Sequence, residues 1–409
     1  MELAVNESLT LADKIVLDNL RGGHDKDGRL QDEKTVSLLE GLNGPSSPTF
    51  LPTIFTTLPE PSPSSSNILW RTYIRWASGV VRTPTDIVFI NHILLYLCTS
   101  LPSALYLFYN FNVFHAVLHW AWTAYSCGPF TLLMHNSIHQ NGVLKPAYRW
   151  LDISFPYLLC PLMGHTWNSY YYHHTKMHHV EGNGPDDVSS TLSYQRDSLL
   201  DLLHYISRFI FTLWLELPLY FLKKRRTTFA IKAGLTELFC YSAIVYLYVF
   251  VNKKATIVTL VVPLIQMRIG MAVGNWGQHA FVDRQDPKSD FRSSITLIDV
   301  SSNRLCFNDG YHTSHHLHPR RHWRDHPASL IRQKEQYSSQ DALIFYDIDF
   351  LAITVRLMMH DYKTLARHFI PLGEQKNLNT QEVMGMLEER TRKFTKDEIA
   401  RHWPVKKAQ

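Results

Sequence analysis

Several patterns are missing from this 409-residue chain, and each absence removes a class of function. Its five cysteines (Cys98, Cys127, Cys160, Cys240, Cys306) include no Cys-x-x-Cys pair, so neither a disulfide framework nor a thiolate metal site is indicated. Most of them lie in apolar stretches, where a thiol acts as a small hydrophobe. There is no GxGxxG nucleotide loop and no cysteine-rich ferredoxin run. The N-terminal stretch lacks the charged segment and short apolar core of a cleaved signal peptide, and it is too acidic for a transit peptide, so the first spanning helix is expected to do the targeting. Excess charge is also scarce, at +5. Lys and Arg gather beside apolar segments (Arg71, Arg75, Arg82, Lys223 to Arg226), which marks a cytoplasmic membrane face and gives no reason to expect nucleic acid.

What is present is apolar length. Ile87 to Tyr109 and Val113 to Met134 are long runs nearly free of charge, and a second pair, Ala233 to Val251 and Ala255 to Val273, is separated by Asn252-Lys253-Lys254. Each is near the roughly 20 residues that cross a bilayer core. The expected fold is an all-α membrane protein with four transmembrane helices in two hairpins (87–109 with 113–134, 233–251 with 255–273), interfacial helices and a histidine-lined cytosolic cap. Leu199 to Leu222 is apolar but interrupted by His204, Arg208, Glu216 and Pro218, and is expected to lie in the headgroup region, as is the short run Leu151 to Gly164. Residues 1–66 are acidic and end in the Pro/Ser-rich run Pro59 to Ser66; that composition predicts a disordered cytosolic tail, on which the sequon Asn6-Glu7-Ser8 stays unmodified. Residues 67–330 are then the membrane catalytic domain and 331–409 a cytosolic helical cap. Within the cap, Leu343, Ile344, Phe350, Leu351, Val355, Met358 and Met359 follow helical spacing and predict an amphipathic packing face.

Histidine is the other abundance, with 22 in the chain. Three clusters stand out: His135-x-x-x-His139, His174-x-x-x-His178-His179 and His312-x-x-His315-His316. At about 100° per residue, positions i, i+3 and i+4 share one helix face, so each cluster is expected to aim its rings at a single point. On the same wheel His174 lies about 40° from His178 and His173 about 140° away, which favours His174 as the ligand. All three clusters follow the ends of expected spans on one side of the membrane, unlike transporter ligands, which sit on spanning helices at mid-membrane. Asn275 and His279, at i and i+4, add a ninth imidazole and an amide. That set exceeds one ion and suits two, with positions left for dioxygen. Neutral imidazole serves iron, copper, zinc or nickel, so the donors alone do not name the metal. His115-x-x-x-His119 has the same spacing at the opposite end of its span and is expected to be structural; His165, His318 and His322 fall outside the spacing.

The boxes HxxxH, HxxxHH and HxxHH, in that order around two hairpins, with Gly310-Tyr311-His312-Thr313-Ser314-His315-His316-Leu317-His318-Pro319 as the third, resemble those of the membrane fatty acid desaturase superfamily. The likeness runs from about Ile87 to Pro327. It implies two non-haem iron ions that use dioxygen and two electrons to remove hydrogens from a long-chain acyl substrate, free, carrier-linked or in a lipid. It also implies that His279 and the water-bridging Asn275 complete the site. Relatives with a fused cytochrome b5 domain carry a His-Pro-Gly-Gly run, which does not occur here. The expected electron source is therefore a separate cytochrome b5 with its reductase, in the endoplasmic reticulum membrane, with the site facing the cytosol.

Such chemistry suits neutral ligands, because an aliphatic C–H bond has no acidity for a general base and must lose a hydrogen atom to a strong oxidant. Glu181, Asp186, Asp187, Asp283 and Asp309 are candidates to orient the rings. Tyr170, Tyr171, Tyr172, Trp167 and Trp276 are candidates to line an apolar channel, or to form an interfacial belt. Two rivals are defined by the same residues. Alkyl or acyl hydroxylation shares the boxes and differs in product mass, and a histidine-rich zinc membrane protein differs in its metal.

Overall fold

The computed structural model describes residues 11–22, 28–58 and 67–404. The sequon at Asn6 and the Pro59 to Ser66 run lie outside them. The fold is mostly helical. The chain opens with α1 (Leu11–Arg21) and α2 (Gly28–Asn43). A first hairpin follows, made of α3 (Ile87–Cys98), α4 (Ser100–Tyr109) and the 28-residue α5 (Val113–Gln140). After the histidine-bearing loop come α6 (Leu199–Phe211) and α7 (Leu213–Lys223). The second hairpin is α8 (Thr227–Phe250) and α9 (Val262–Gln278), α9 being entered through a π-turn at Ile257–Val261.

Three stretches among the described residues are long and apolar enough to cross a membrane: Ile87–Tyr109, Thr227–Phe250 and Lys253–Gln278. The bent pair α6–α7 would be a fourth, but its halves meet at 78° and each is shorter than a bilayer core requires. The 113–134 segment does not reach that apolarity, because His115, His119, Trp120 and Trp122 dilute it. Its helix is nonetheless about 42 Å long at 1.5 Å per residue. Two contacts fix its direction. An antiparallel bridge pairs Val81, before α3, with Leu144, after α5, so α5 returns to the side where α3 began. At the other end the Asn252 side chain reaches the Phe108 carbonyl, so the turns of both hairpins meet there. Large side chains of α8 such as Leu235, Leu238, Phe239 and Val245 stay exposed, as a lipid-facing helix requires.

Two expectations are corrected. The N-terminal segment is not a disordered tail over 11–21 and 28–43. Val16, Leu17, Leu20 and Leu39 are buried against Ile298, Tyr311, Leu330 and Ile331. The acidic composition hid an apolar stripe at helical spacing. One of the acids is itself buried: Asp13 accepts hydrogen bonds from the Asp299 backbone N–H (3.0 Å), Asn303 Nδ2 (2.8 Å) and the Tyr311 hydroxyl (2.6 Å). Burial pushes its carboxyl up to about 6, although those donors pull it down. The network pins the loop before the third histidine box, where Asp299, Phe307 and Asn308 all hold positive φ. Asp13→Leu should lower stability by about 1–3 kcal/mol, the cost of buried donors left unpaired. Thermal unfolding in detergent would show it, and an unchanged midpoint would refute the role.

The second correction concerns the cap. Leu343 and Ile344 lie not on a helix but on strand β2 (Leu343–Tyr346), which pairs in parallel with β1 (Ile295–Ile298), Ile295 opposite Leu343. The third box forms α10 (His312–Leu317), and the cap continues with α11 (Phe350–Met358). The cap shares one core with the chain around β1 through Phe281, Leu297, Phe345, Leu357 and Leu387. The fully buried Arg196 donates to the carbonyls of Ala280, Thr191, Tyr194, Arg390 and Arg392, tying the chain after α9 to the C-terminal helices. Residues 331–404 thus fold as part of the same body, and α11 leaves Leu351, Val355 and Met359 exposed along one face.

Candidate metal centre

The C-terminal end of α5 brings His135 and His139 down beside the second box, whose local structure decides the geometry. Tyr171–His178 is a π-helix, in which residue i+5 rather than i+4 stacks over residue i. His174 therefore meets His179, with their Nε2 atoms 3.0 Å apart, while His178 turns away. The short α10 divides its rings by ordinary α-helical spacing, His312 and His316 at i and i+4 on one side and His315 on the other. The result is two four-histidine groups, His135, His139, His174 and His315 in one and His178, His279, His312 and His316 in the other, with the potential ligand atoms of each group within 4.8 Å of one another. The expectation that each box aims at one point is thereby corrected: the second and third boxes each feed both groups. The groups adjoin, with ring centroids of His174 and His178 5.6 Å apart and those of His179 and His316 5.1 Å apart.

His179 stands as a fifth ring on the first group, its Nε2 2.9 Å from that of His315. His173 lies outside both groups. Asn275 lies one turn before His279, and its amide nitrogen is committed to the Ser189 carbonyl (2.9 Å) and the Tyr205 hydroxyl (2.8 Å). His115 is bonded to Ser103 (2.8 Å) near the far end of the hairpin, and His204 is exposed beside Tyr194. His165 bonds Thr131, and His322 pairs with Asp86.

The donor set fits a cation. A carbonyl can only accept, so His279 Nδ1 must carry the proton it donates to the Ser293 carbonyl at 2.7 Å, leaving its Nε2 lone pair aimed at His312 Nε2, 3.3 Å away. His178 Nδ1 donates to Asp187 at 2.7 Å. Burial would push the Asp187 carboxyl up, but His178 and donors from Ser189 hold it well below the usual carboxylate range, so it stays ionised. The Nε2 atoms of His135 and His315 lie 3.0 Å apart, and those of His312 and His316 also 3.0 Å. Each such pair can share one proton or turn both lone pairs on one cation, and the Nδ1 partners of His279 and His178 fix the tautomer that ligation needs. Burial first, and neighbouring imidazoles second, push His174, His179, His279, His312 and His315 well below the ordinary histidine value, so the rings are neutral and able to coordinate.

Of the five acids considered as ring orienters, only Asp187 serves. Glu181 and Asp186 pair with Lys224, Asp283 pairs with Arg292 and Arg390, and Asp309 accepts from Gln278. The Ser293 carbonyl was not legible in the sequence, because a backbone oxygen leaves no residue-type signal. Asp187→Asn should weaken metal binding about 10–100-fold, as loss of a ring-orienting carboxylate does. Iron retention against a chelator would measure it, and unchanged retention would count against the assignment.

A cavity of about 380 Å³ opens against both groups, touching His135, His174, His178 and His312, and runs between α5 and α9 to Ala124, Tyr125 and Gln266. Tyr170 lines it. The other aromatic candidates do not: Trp276 is buried against Tyr194 and Tyr205, Tyr172 packs on Phe221 and Phe229 with Tyr171 beside it, and Trp167 stacks on Phe239.

The fatty acid desaturase family model matches residues 112–346, more than half of the chain and all of the histidines grouped above. This chain belongs to the fatty acid desaturase family. That family is one of oxidoreductase enzymes with a histidine di-metal site, and the two groups here are suited to such a site. No curated protein and no solved structure matches. The match begins at α5, the first helix to carry a box, and ends with β2.

Proposed function

We propose that this desaturase inserts a double bond into a long-chain acyl substrate, using dioxygen and two electrons. The observation that carries the proposal is the paired four-histidine groups at the wall of a long, mostly apolar cavity. His135, His139, His174 and His315, with His179, would hold one iron; His178, His279, His312 and His316 would hold the other, with Asn275 acting through a water. When bound, the irons with dioxygen supply an oxidant able to take hydrogen atoms from an unactivated C–H bond. Overall, one CH2–CH2 unit, one O2, two electrons and two protons give CH=CH and two waters.

The protein's own part is positional. α5, the π-helix, α9 and α10 each present rings from a rigid element, and the neutral donors leave the metals' positive charge undiminished. The cavity wall keeps a chain against the rings and limits bulk water beside a reactive oxidant. Electrons would come from a separate donor, cytochrome b5 with its reductase, at an endoplasmic reticulum membrane with the groups facing the cytosol.

The test is expression in a desaturase-deficient host with lipid mass spectrometry and metal analysis of the purified protein. The expected result is acyl chains lighter by two hydrogens and two irons per chain. Gain of one oxygen would replace this function with hydroxylation, and stoichiometric zinc with no activity after iron reconstitution would end it.

A further inference from the structure

The cavity's walls and its opening bear on how the acyl chain arrives, a question that rests on the function proposed above. From His135 to Ala124 the cavity follows α5 for eleven residues, about 16 Å at the helical rise, away from the cytosolic side and into the spanning region. Its outer rim is membrane-facing: Tyr125 is 47% exposed and Gly270 is exposed. Three glycines keep the gap between the helices open. A Cβ at Gly274 would meet nothing within 4 Å, one at Gly270 only Met267 Cε at 3.7 Å, and one at Gly128 only Cys306 Sγ at 3.9 Å.

Two further voids among the described residues reach the histidines, and both are too small for a chain. The void beneath His139 and His315, roofed by Arg321, Trp323 and His326 on the cytosolic side, holds about 20 Å³, and that beside His165 and His173 also about 20 Å³. Each has room for about one water. Nor does the cavity offer anything to a phosphate-bearing soluble carrier, because no Lys or Arg lines it.

We propose that the substrate is the acyl tail of a bilayer phospholipid, which slides in sideways between α5 and α9 while its headgroup stays at the membrane surface. Chains carried on a cytosolic thioester are not used until they have been esterified into lipid. The glycine-lined gap is the gate, and Gly270 is its sill.

The experiment uses the full-length iron-loaded protein in nanodiscs of phosphatidylcholine with isotopically labelled saturated chains. Reduced cytochrome b5 supplies electrons, and in parallel discs a differently labelled acyl-CoA of the same chain length or the free acid is added. Intact-lipid mass spectrometry at early times is expected to find the new double bond in phosphatidylcholine, with the added thioester and free acid turned over about ten-fold more slowly or less. Gly270→Trp should cut turnover of the phospholipid by about ten-fold or more while the iron content stays at its normal value. Desaturated acyl-CoA or free acid appearing before desaturated phospholipid would overturn the lateral route while leaving the desaturase function intact, as would full phospholipid turnover in Gly270→Trp. No product from any of the three carriers would sink the function itself, and this inference with it.

Discussion

His279→Ala is expected to abolish turnover, by about a thousand-fold or more, which corresponds to upward of about 4 kcal/mol of lost transition-state stabilisation. The residue lies 33 positions from the box it joins, at the C-terminal end of α9, and its Nδ1 is fixed by the Ser293 carbonyl so that Nε2 faces His312 and His316. Alanine removes one of four donors from the second group and leaves the first untouched. Iron content should therefore fall from two toward one per chain, and activity should vanish because removing hydrogens with dioxygen needs both ions. His174→Ala should do the same through the first group, as should His135→Ala and His315→Ala. His115→Ala and His204→Ala are the controls, since neither ring approaches the groups, and both should keep substantial activity and two irons. Product per inserted protein, with iron measured on the same preparation, decides the matter. Full activity in His279→Ala would remove that residue from the site.

How much of this was legible beforehand depends on what kind of information each feature leaves in the chain. The histidines announce themselves, because ligation needs a residue type that is scarce in apolar segments, and the boxes fall at the ends of helices that composition alone delimits. Their division between two groups was not legible. It depends on the π-turn at Tyr171–His178, whose extra residue per turn leaves no mark in hydropathy and shifts His178 from the face of His174. The N-terminal helices were misread for the opposite reason. Net acidity and the Pro/Ser run dominated the composition, while Val16, Leu17 and Leu20 contributed too few apolar residues to register until Ile298 and Ile331 are seen to cover them. The β1–β2 pair joins segments some fifty residues apart, and a strand of four residues embedded in helical spacing, such as Leu343 to Tyr346, gives no periodicity long enough to separate from a helix. The cavity begins at the histidine ends of the spans, but of the aromatic residues expected to line it only Tyr170 does; Gly128, Gly270, Gly274, Met267, Met271 and Gln266 share its wall with the histidines.

That composition makes the cavity unusually easy to narrow. Gly274 sits about one turn from the C-terminal end of α9 without a positive φ, and a Cβ placed there meets no atom within 4 Å. Gly274→Leu should therefore be accepted by the fold. It removes the flexibility cost of glycine within a helix, about 1 kcal/mol, and its Cβ displaces nothing. The same four carbons occupy the path a substrate chain must take past Asn275 and Gln278 to reach the histidines. Accommodating a chain beside them requires moving α5 from α9 or leaving methylenes outside, and each methylene that loses its place costs about 1–3 kcal/mol. Turnover of long chains should fall by about a hundred-fold or more, with two irons retained and an unfolding midpoint at or above that of the parent. Gly274→Ala, smaller by three carbons, should fall between the two. The measurement is product yield across acyl chains of different length, alongside iron content and thermal unfolding. An unchanged rate on long chains would mean that the reacting chain lies elsewhere, whereas a collapse of iron content or stability would show that Gly274 serves the fold and not the cavity.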